Sequence, residues 1–485
     1  MADLPVVGNW ISDSVVPAIS GAWLTKESPV TGLPSCRVAR SEAADVETAM
    51  LAAKAAQPAW ERLGAVARSD LLRATAQLIS EQRDSFAACI SEETGKSRKD
   101  ALGEVMAAVE MGFFVAGEGR RGYGRTTSSA IASRMAFTLR QPMGVAGLIV
   151  AANTPIANVA WKAFPALLCG NAAVLKASED TPRTALLFAQ AARQAGLPTG
   201  ILAIVQGAGA EAGAALVESR HVQVISFTGS TAVGRWIQEA AGRRLTKVCL
   251  ELGGKNALVV LDDADLELAL RCALLSAFSN AGQRCAAGSR IVVTDKIYDR
   301  FASRLTEAAM KLRVGSQDGD DLGPVINRRQ HRNILAAVEK ARSQGCEVLC
   351  GGGAPAGLDA GFHIAPTILA SVARDQDISR QELFGPVTCL YRARDPADAL
   401  AIADDADYAL TTAIHTKDIN LALAYMHRIR SGVVSVNGNT HGSEPHMPFG
   451  GPRSSGTGWR EAGTEALDVY SDIKTVYVAY DQRCL

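Results

Sequence analysis

The chain carries no excess charge of either sign, with 50 basic residues balancing 50 acidic ones over 485 positions. Nucleic-acid and membrane-surface binding both draw on a basic surplus, so neither is supported. Metal-ligand spacing is missing as well. The ten cysteines (Cys36, Cys89, Cys169, Cys249, Cys272, Cys285, Cys346, Cys350, Cys389 and Cys484) are scattered, with no C-x-x-C and no Cys/His pairing. That pattern predicts no metal site and free thiols in a reducing, cytoplasmic setting. Met1-Ala-Asp-Leu-Pro5 has no basic stretch running into an apolar one, so no secretory signal is evident. The uncharged run from Gln141 to Trp161 is long enough to raise the question of a membrane span. Asn153, Thr154, Pro155 and Asn158 at its middle favour a buried strand, a polar turn and a helix instead. No internal repeat or low-complexity tract occurs, and no G-x-G-x-x-G follows a strand, so the usual dinucleotide fingerprint is absent.

What remains is a globular composition, 48% hydrophobic and 21% charged, on a chain too long for one core. Two or three compact units are expected. From residue 142 short apolar runs alternate with amphipathic ones, the signature of a parallel α/β sheet. Strands are predicted at 144–152, 172–176, 202–206, 222–227 and 247–252, with helices between them at 156–168, 181–195, 210–218 and 231–241. A second α/β series starts with a strand at 256–261, a helix at 266–277 and a strand at 290–293. The N-terminal third reads mainly as helix, at 46–62, 65–83, 86–94 and 97–114. Gly122–Phe137 and Tyr470–Tyr480 break these patterns and read as edge strands, which rarely stay unpaired.

Chemistry concentrates in a few places. Cys285 lies among small residues in Asn280-Ala-Gly-Gln-Arg-Cys285-Ala-Ala-Gly288, and Glu251 sits in Leu250-Glu-Leu-Gly-Gly-Lys255. A thiolate is a strong nucleophile near neutral pH and leaves a thioester open to water. A carboxylate flanked by Val248, Cys249, Leu250 and Leu252 has its pKa raised if buried, which suits a general base. Taken singly, each has a plainer reading, a small core cysteine and a solvated strand-end glutamate. Phe227-Thr-Gly229-Ser230-Thr-Ala-Val-Gly234 carries a strand into a helix whose N-terminus can receive a pyrophosphate, although Gly-Ser-Thr is also an ordinary helix cap. Lys176-Ala-Ser-Glu179 ends another strand and reads equally as an acidic helix start.

Together with Ala151-Ala-Asn153-Thr154, Gln381-Glu382-Leu-Phe384-Gly-Pro386 and Pro448-Phe-Gly-Gly451, these motifs resemble the aldehyde dehydrogenase superfamily in order and spacing, from about residue 20 to the C-terminus. The resemblance implies a Rossmann-like cofactor domain (1–122 and 142–253), an α/β catalytic domain (254–455) and an oligomerisation arm (123–141 and 466–485) that crosses to another subunit of a homodimer or homotetramer. It implies oxidation of an aldehyde to the acid, with Cys285 as nucleophile, Asn153 as oxyanion donor and Glu251 activating the hydrolytic water. Lys176 and Glu179 would hold the adenosine ribose, Gly229 and Ser230 the pyrophosphate, and Glu382 and Phe384 the nicotinamide end. A carboxylate on the ribose repels a 2′-phosphate, so NAD is expected over NADP.

The chain departs from the family where Pro-Trp-Asn-Phe becomes Ala151-Ala152-Asn153-Thr154, which widens or polarises the wall opposite Cys285. Trp161 keeps an aromatic on the substrate tunnel, while Phe113, Phe114, His441 and His446 are either further lining or core and loop residues. The expected substrate is an aromatic or medium-sized aldehyde. The alternative is a semialdehyde acid, for which Arg120, Arg121 or Arg284 would be needed. Among rival activities, a CoA-acylating dehydrogenase is disfavoured by Glu251. A cysteine hydrolase needs a histidine beside the thiol, and none lies within fifty residues on the N-terminal side of Cys285. A nonenzymatic role sits poorly with intact Cys285, Glu251 and Asn153.

Overall fold

A computed structural model describes residues 4–481. Two seven-stranded sheets dominate it. In the first, the strands Lys247–Glu251, Val224–Thr228, Val145–Ile149, Ala172–Lys176 and Leu202–Val205 lie side by side and parallel. All but the ends of these strands are buried, which explains their continuous apolar runs, since helices cover both faces of a parallel sheet. The uncharged stretch after Gln141 resolves as anticipated into strand Val145–Ile149, a turn and helix Pro155–Leu168. That helix starts on a proline, whose missing N–H costs nothing there, and buries eleven of its fourteen residues. It packs with Ala43–Arg62, Arg98–Gly117 and Pro182–Gln194 into the larger core.

The second sheet runs Glu347–Cys350, Thr367–Ala370, Val387–Ala393, Arg290–Thr294, Ala257–Val260, Thr411–His415 and Val433–Val436, parallel except at its first strand. Separate apolar clusters fill its two faces.

The four helices expected between residues 46 and 114 are present as Ala43–Arg62, Ala65–Glu81, Arg83–Thr94 and Arg98–Gly117, and the segment ahead of them, for which no element was predicted, forms strands. Asn9–Ile11 and Ser14–Val16 form a hairpin that extends the first sheet antiparallel to Leu202–Val205, and Val6–Val7, Trp23–Glu27 and Pro34–Ala39 make a small sheet of their own. These strands run from only two to six residues, too short for an alternation to announce them, and Asn9–Ile11 meets Leu202–Val205 from far along the chain.

Ser471–Ala479 pairs antiparallel with Arg134–Pro142 along nine residues, and Thr126–Thr127 joins on the other side. Both breaks in the sequence pattern are therefore strands of one sheet. Ile473, Tyr477, Met135 and Leu139 on it are all at least half exposed.

The turn into this arm is anchored by Asn171, which is wholly buried. Its Oδ1 accepts from the Gly144 N–H (2.9 Å), and its Nδ2 donates to the carbonyls of Ala166 (3.0 Å) and Tyr470 (2.8 Å). Asn171→Ala removes one hydrogen bond each from the Gly144 N–H and the Ala166 and Tyr470 carbonyls, so it should destabilise the chain by roughly 2–4 kcal/mol. Denaturant unfolding should show a lower midpoint at unchanged slope; a midpoint within error of the parent would contradict this anchoring.

Candidate active site

The parallel strands of the first sheet all end on one edge, where α/β folds place ligands. Four candidate segments emerge there: Asn153 after Val145–Ile149, Lys176 and Glu179 after Ala172–Lys176, Gly229 and Ser230 after Val224–Thr228, and Glu251 at the end of its own strand. Register brings the last two together, because the Gly229 N–H donates to the Glu251 carbonyl at 3.1 Å. Gly229 admits no side chain, since a Cβ would stand 2.3 Å from the Phe227 ring. Ser230 caps helix Thr231–Gly242 by accepting from the Val233 N–H, leaving the first-turn amides and the positive dipole end facing the sheet edge. Lys176 Nζ meets Glu179 Oε2 at 2.7 Å. Burial works against the Glu179 carboxylate, but the Lys176 charge and hydrogen bond prevail and hold it below its ordinary value.

Cys285 comes from the second half of the chain, on a turn before strand Arg290–Thr294, and is half-buried. The approach to it is strained: Asn280 and Ala281 both adopt left-handed backbone (φ 54° and 52°), followed by Gly282 at φ 66°. Such residues cost of order 1–3 kcal/mol each and persist only where the surroundings dictate them. Here Gln283 ties the turn down, its Oε1 accepting from the Ile326 N–H (2.8 Å) and its Nε2 donating to the Pro324 carbonyl (3.2 Å). Asn256 finishes the job by donating to the carbonyls of Cys285 (2.8 Å) and Ala287 (2.9 Å).

Asn153 reaches across from the first sheet, and its Nδ2 donates to the Gln283 carbonyl at 3.0 Å, with no second acceptor for this amide among the described residues. Its own carbonyl accepts from Lys96 Nζ (2.9 Å) and Asn280 Nδ2 (3.2 Å). Glu382 arrives on a loop of the second domain half and accepts from the Gly254 N–H at 3.0 Å. A Cβ on Gly253 would fall 1.9 Å from its Oε2, so a side chain there would displace the Glu382 carboxylate. Phe384 follows with left-handed backbone (φ 57°). Cys285, Glu251, Asn153 and Glu382 thus share one site, while Lys176 and Glu179 stand further along the same sheet edge.

Burial displaces the acidic groups of the site toward their protonated forms. Burial pushes the Cys285 thiol up to about 12, with Glu382 and Glu251 adding to the rise; Arg284 and the Ala286 N–H oppose it. Burial, then Glu461, carries Glu251 well above the usual carboxylate range. Neither of its carboxyl oxygens has a hydrogen-bond partner among the described residues. Glu382 is raised by burial to about 7. Trp161 meets Phe449 edge-on at 5.6 Å and, with Ala286 and Leu410, forms an apolar wall beside Cys285. Thr154 stands at the start of helix Pro155–Leu168 and accepts from Asn158 Nδ2 (3.3 Å).

Residues 17–476 match the model of the aldehyde dehydrogenase family. The chain belongs to this family. It is 35% identical to the alpha-ketoglutaric semialdehyde dehydrogenase of Bacillus subtilis, with 97% of each chain covered, and 37% identical to the betaine aldehyde dehydrogenase of Brucella anthropi, with 98% and 97% covered. Among solved structures, PnpE from Pseudomonas sp. WBC-3 matches with a TM-score of 0.95 at 35% identity, covering 98% of both chains. The betaine aldehyde dehydrogenase of Staphylococcus aureus, solved in complex with NAD+, matches with a TM-score of 0.95 at 30% identity, covering 97% of this chain and 94% of that one. The fold is therefore the aldehyde dehydrogenase fold, and the enzyme is an oxidoreductase that oxidises aldehydes with a nicotinamide dinucleotide. No helix among the described residues is long and apolar enough to cross a membrane.

Several residues that shape this aldehyde dehydrogenase site escaped the sequence reading. Lys162 and Glu461 form a fully buried ion pair that Ser226 joins at 2.6 Å from Glu461, and this pair sets part of the field on Glu251. They lie 299 positions apart, so no local pattern could pair them. Asn256 was closer to discovery, since a polar residue entering a buried strand directly after Gly-Gly-Lys255 signals a structural hydrogen-bonding task. The nine described cysteines are unbridged, and Cys484 lies outside the described residues.

A thiol held high gains thiolate steadily as pH rises. Alkylation of Cys285 by iodoacetamide in the ligand-free enzyme should accelerate nearly tenfold per pH unit from 7 to 9 without levelling off. A plateau near pH 7 would mean that the site stabilises the thiolate instead.

Proposed function

We propose that this aldehyde dehydrogenase works through Cys285 as nucleophile, Asn153 as oxyanion donor and Glu251 as the base for hydrolysis. The observation that carries the reading is Glu251, a buried carboxyl with both oxygens unpartnered beside a thiol. An orphaned buried acid is costly in a purely structural role, and one whose affinity for protons is raised can collect them near neutral pH.

The residues present fit a nicotinamide dinucleotide. Glu179 offers a half-exposed carboxylate to ribose hydroxyls, Ser230 and the helix behind it offer amides to a pyrophosphate, and Glu382 borders the thiol from the other side, with Phe384 two residues further on. When bound, the oxidised nicotinamide ring supplies the acceptor for the aldehyde hydride.

In the first half-reaction Sγ of Cys285 adds to the carbonyl carbon and its proton passes to Glu251. The resulting oxyanion is held by the free N–H of Asn153 and the Cys285 backbone N–H, donors that are already oriented before the reaction. Its collapse expels the hydride and leaves a thioester on Cys285. Before the second half-reaction Glu251 releases the thiol's proton to solvent; it then takes a proton from water, the hydroxide adds to the thioester, and the carbon–sulfur bond breaks to release the acid while the Cys285 thiolate takes the proton back from Glu251. Lys96 and Asn280 keep Asn153 in place through its carbonyl, and Trp161, Phe449 and Thr154 bound the substrate side.

NAD is preferred over NADP on this reading, because Glu179 is kept ionised and would repel a 2′-phosphate. Residues 1–122 and 142–253 form the cofactor domain, 254–455 the catalytic domain, and 123–141 with 466–485 the arm. The exposed apolar side chains of the arm sheet suit a contact between subunits of a homodimer or homotetramer. The enzyme acts in the cytoplasm, in keeping with its unbridged cysteines.

Glu251→Gln should still release one equivalent of reduced cofactor in a burst and then turn over slowly, with an acyl adduct on Cys285 detectable by mass spectrometry. Steady-state turnover equal to the parent would remove Glu251 from the mechanism. For the cofactor, kcat/KM should favour NAD at least about tenfold, and Glu179→Ala should narrow the gap chiefly through a lower KM for NADP. A parent enzyme that prefers NADP would overturn this assignment.

A further inference from the structure

Asn153 is gripped in two separate ways, and only one of them reaches its side-chain amide. Its backbone is held through the carbonyl, which accepts from Lys96 Nζ (2.9 Å) and Asn280 Nδ2 (3.2 Å). Lys96 is fixed in turn by Glu104, whose Oε2 meets Lys96 Nζ at 2.7 Å while its Oε1 accepts from the Ile156 N–H at 3.0 Å. Helix Pro155–Leu168 has no capping side chain at Thr154, so Glu104 serves its first turn from outside and ties it to the same lysine.

The amide of Asn153 depends on other partners. Its Nδ2 donates to the Gln283 carbonyl at 3.0 Å, which also accepts from Asn280 Nδ2 at 3.2 Å and has no hydrogen to give. Its Oδ1 accepts from Asn158 Nδ2 at 3.2 Å. The Ala151 carbonyl, likewise an acceptor only, lies 3.2 Å from the same Asn158 nitrogen, so the NH2 end of Asn158 has to face this cluster. Its two N–H groups thus serve Ala151, Asn153 and, at 3.3 Å, Thr154 Oγ1. Asn158 is one of three residues that helix Pro155–Leu168 leaves incompletely buried, with Ala157 and Trp161, and Trp161 belongs to the wall beside Cys285.

We infer that Asn158 is a positioning residue for Asn153: it holds Oδ1 while the Gln283 carbonyl holds Nδ2, which fixes the plane of the amide and the direction of the one N–H with no acceptor among the described residues. This rests on the proposed role of Asn153 as oxyanion donor and deepens it. An amide held at one end pivots about that bond, and its donor is no longer aimed before the oxyanion forms. The grip of Lys96 and Asn280 on the backbone is independent of Asn158, so Asn153 stays at the site when Asn158 is changed.

The test is a double-mutant cycle. Asn158→Leu keeps the branched shape of the side chain and removes both donors; Asn158→Ala removes them with less bulk. With the better of propanal and benzaldehyde, the first-turnover rate of cofactor reduction should fall about tenfold in either variant, the worth of one orienting hydrogen bond. The aldehyde concentration giving half that rate should stay within about twofold of the parent, because the loss falls on the transition state. Asn153→Ala should be slower by about 100- to 1,000-fold. Adding Asn158→Leu to it should then change the rate by less than about twofold, since nothing remains to be aimed. Losses that add in the double variant would overturn the inference and point to direct contact of Asn158 with substrate, and a parent-like rate in both Asn158 variants would overturn it too. A parent-like rate in Asn153→Ala would instead remove Asn153 from the mechanism, and the inference with it. A crystal structure of Asn158→Leu decides the placement without any turnover: the Asn153 amide should occupy more than one orientation, and a single orientation in the parent plane would count against Asn158.

Discussion

One buried amide determines where the thiol stands. Asn256 enters strand Ala257–Val260 and spends its whole hydrogen-bonding capacity on backbone: Nδ2 on the carbonyls of Cys285 and Ala287, Oδ1 on the Thr411 N–H at 3.0 Å. It thereby fastens the Cys285 turn to two neighbouring strands of the second sheet. The turn needs such a clamp, because Asn280 and Ala281 hold a backbone form that few side chains favour. Gly282 next to them is the one position where nothing larger fits, since a Cβ would lie 2.1 Å from the Gly385 carbonyl. The strain is thus met by contacts from both sides, and the sulfur is presented at a defined place instead of on a mobile loop.

The same burial that fixes the geometry also sets the charge. Cys285, Glu251 and Glu382 are all displaced toward their protonated forms, each with desolvation as the largest cause. Three ionised groups so close together out of water would repel one another and forgo hydration, whereas three neutral ones cost far less. Positive charge is nevertheless available beside the thiol, from Arg284. Negative charge that develops on sulfur or on a substrate oxygen therefore meets oriented donors, with no resident anion to displace.

How much of this could be read beforehand depended on whether the signal was local. Ala172–Lys176 coincides with its predicted bounds, and the neighbouring strands and helices fall within a few residues of theirs. A strand buried on both faces must be apolar throughout, and a helix following it must start with a cap, so both leave a mark in consecutive residues. Asn9–Ile11 left none, because its partner Leu202–Val205 lies nearly two hundred residues away and its three residues cannot display a period. Glu251 and Cys285 were recognisable from motif and chemistry, yet the field on Glu251 was not. It comes from Glu461, which the chain brings back only after completing the second sheet.

That return explains why the two halves stay in register. Asn153 and Glu251 stand on the first sheet, Cys285 and Glu382 on segments belonging to the second, and a shift of about 1 Å between them would cost on the order of 100-fold in rate. The segment after the second sheet stitches the seam. The Leu252 N–H donates to the Ser455 carbonyl (3.0 Å), and Ser455 Oγ donates to the Gly253 carbonyl (2.9 Å) while accepting from the Ala409 N–H (3.0 Å). A few residues on, Glu461 docks on Lys162 in the core of the first sheet. Gly253 is thus gripped between Ser455 and the Glu382 carboxylate, directly beside the proposed base. The glycines of Glu251-Leu-Gly-Gly254 are then explained by position: a Cβ on Gly253 would meet the Glu382 carboxylate, and one on Gly254 would lie 2.5 Å from Asn256 Oδ1 and 2.7 Å from the Cys285 carbonyl.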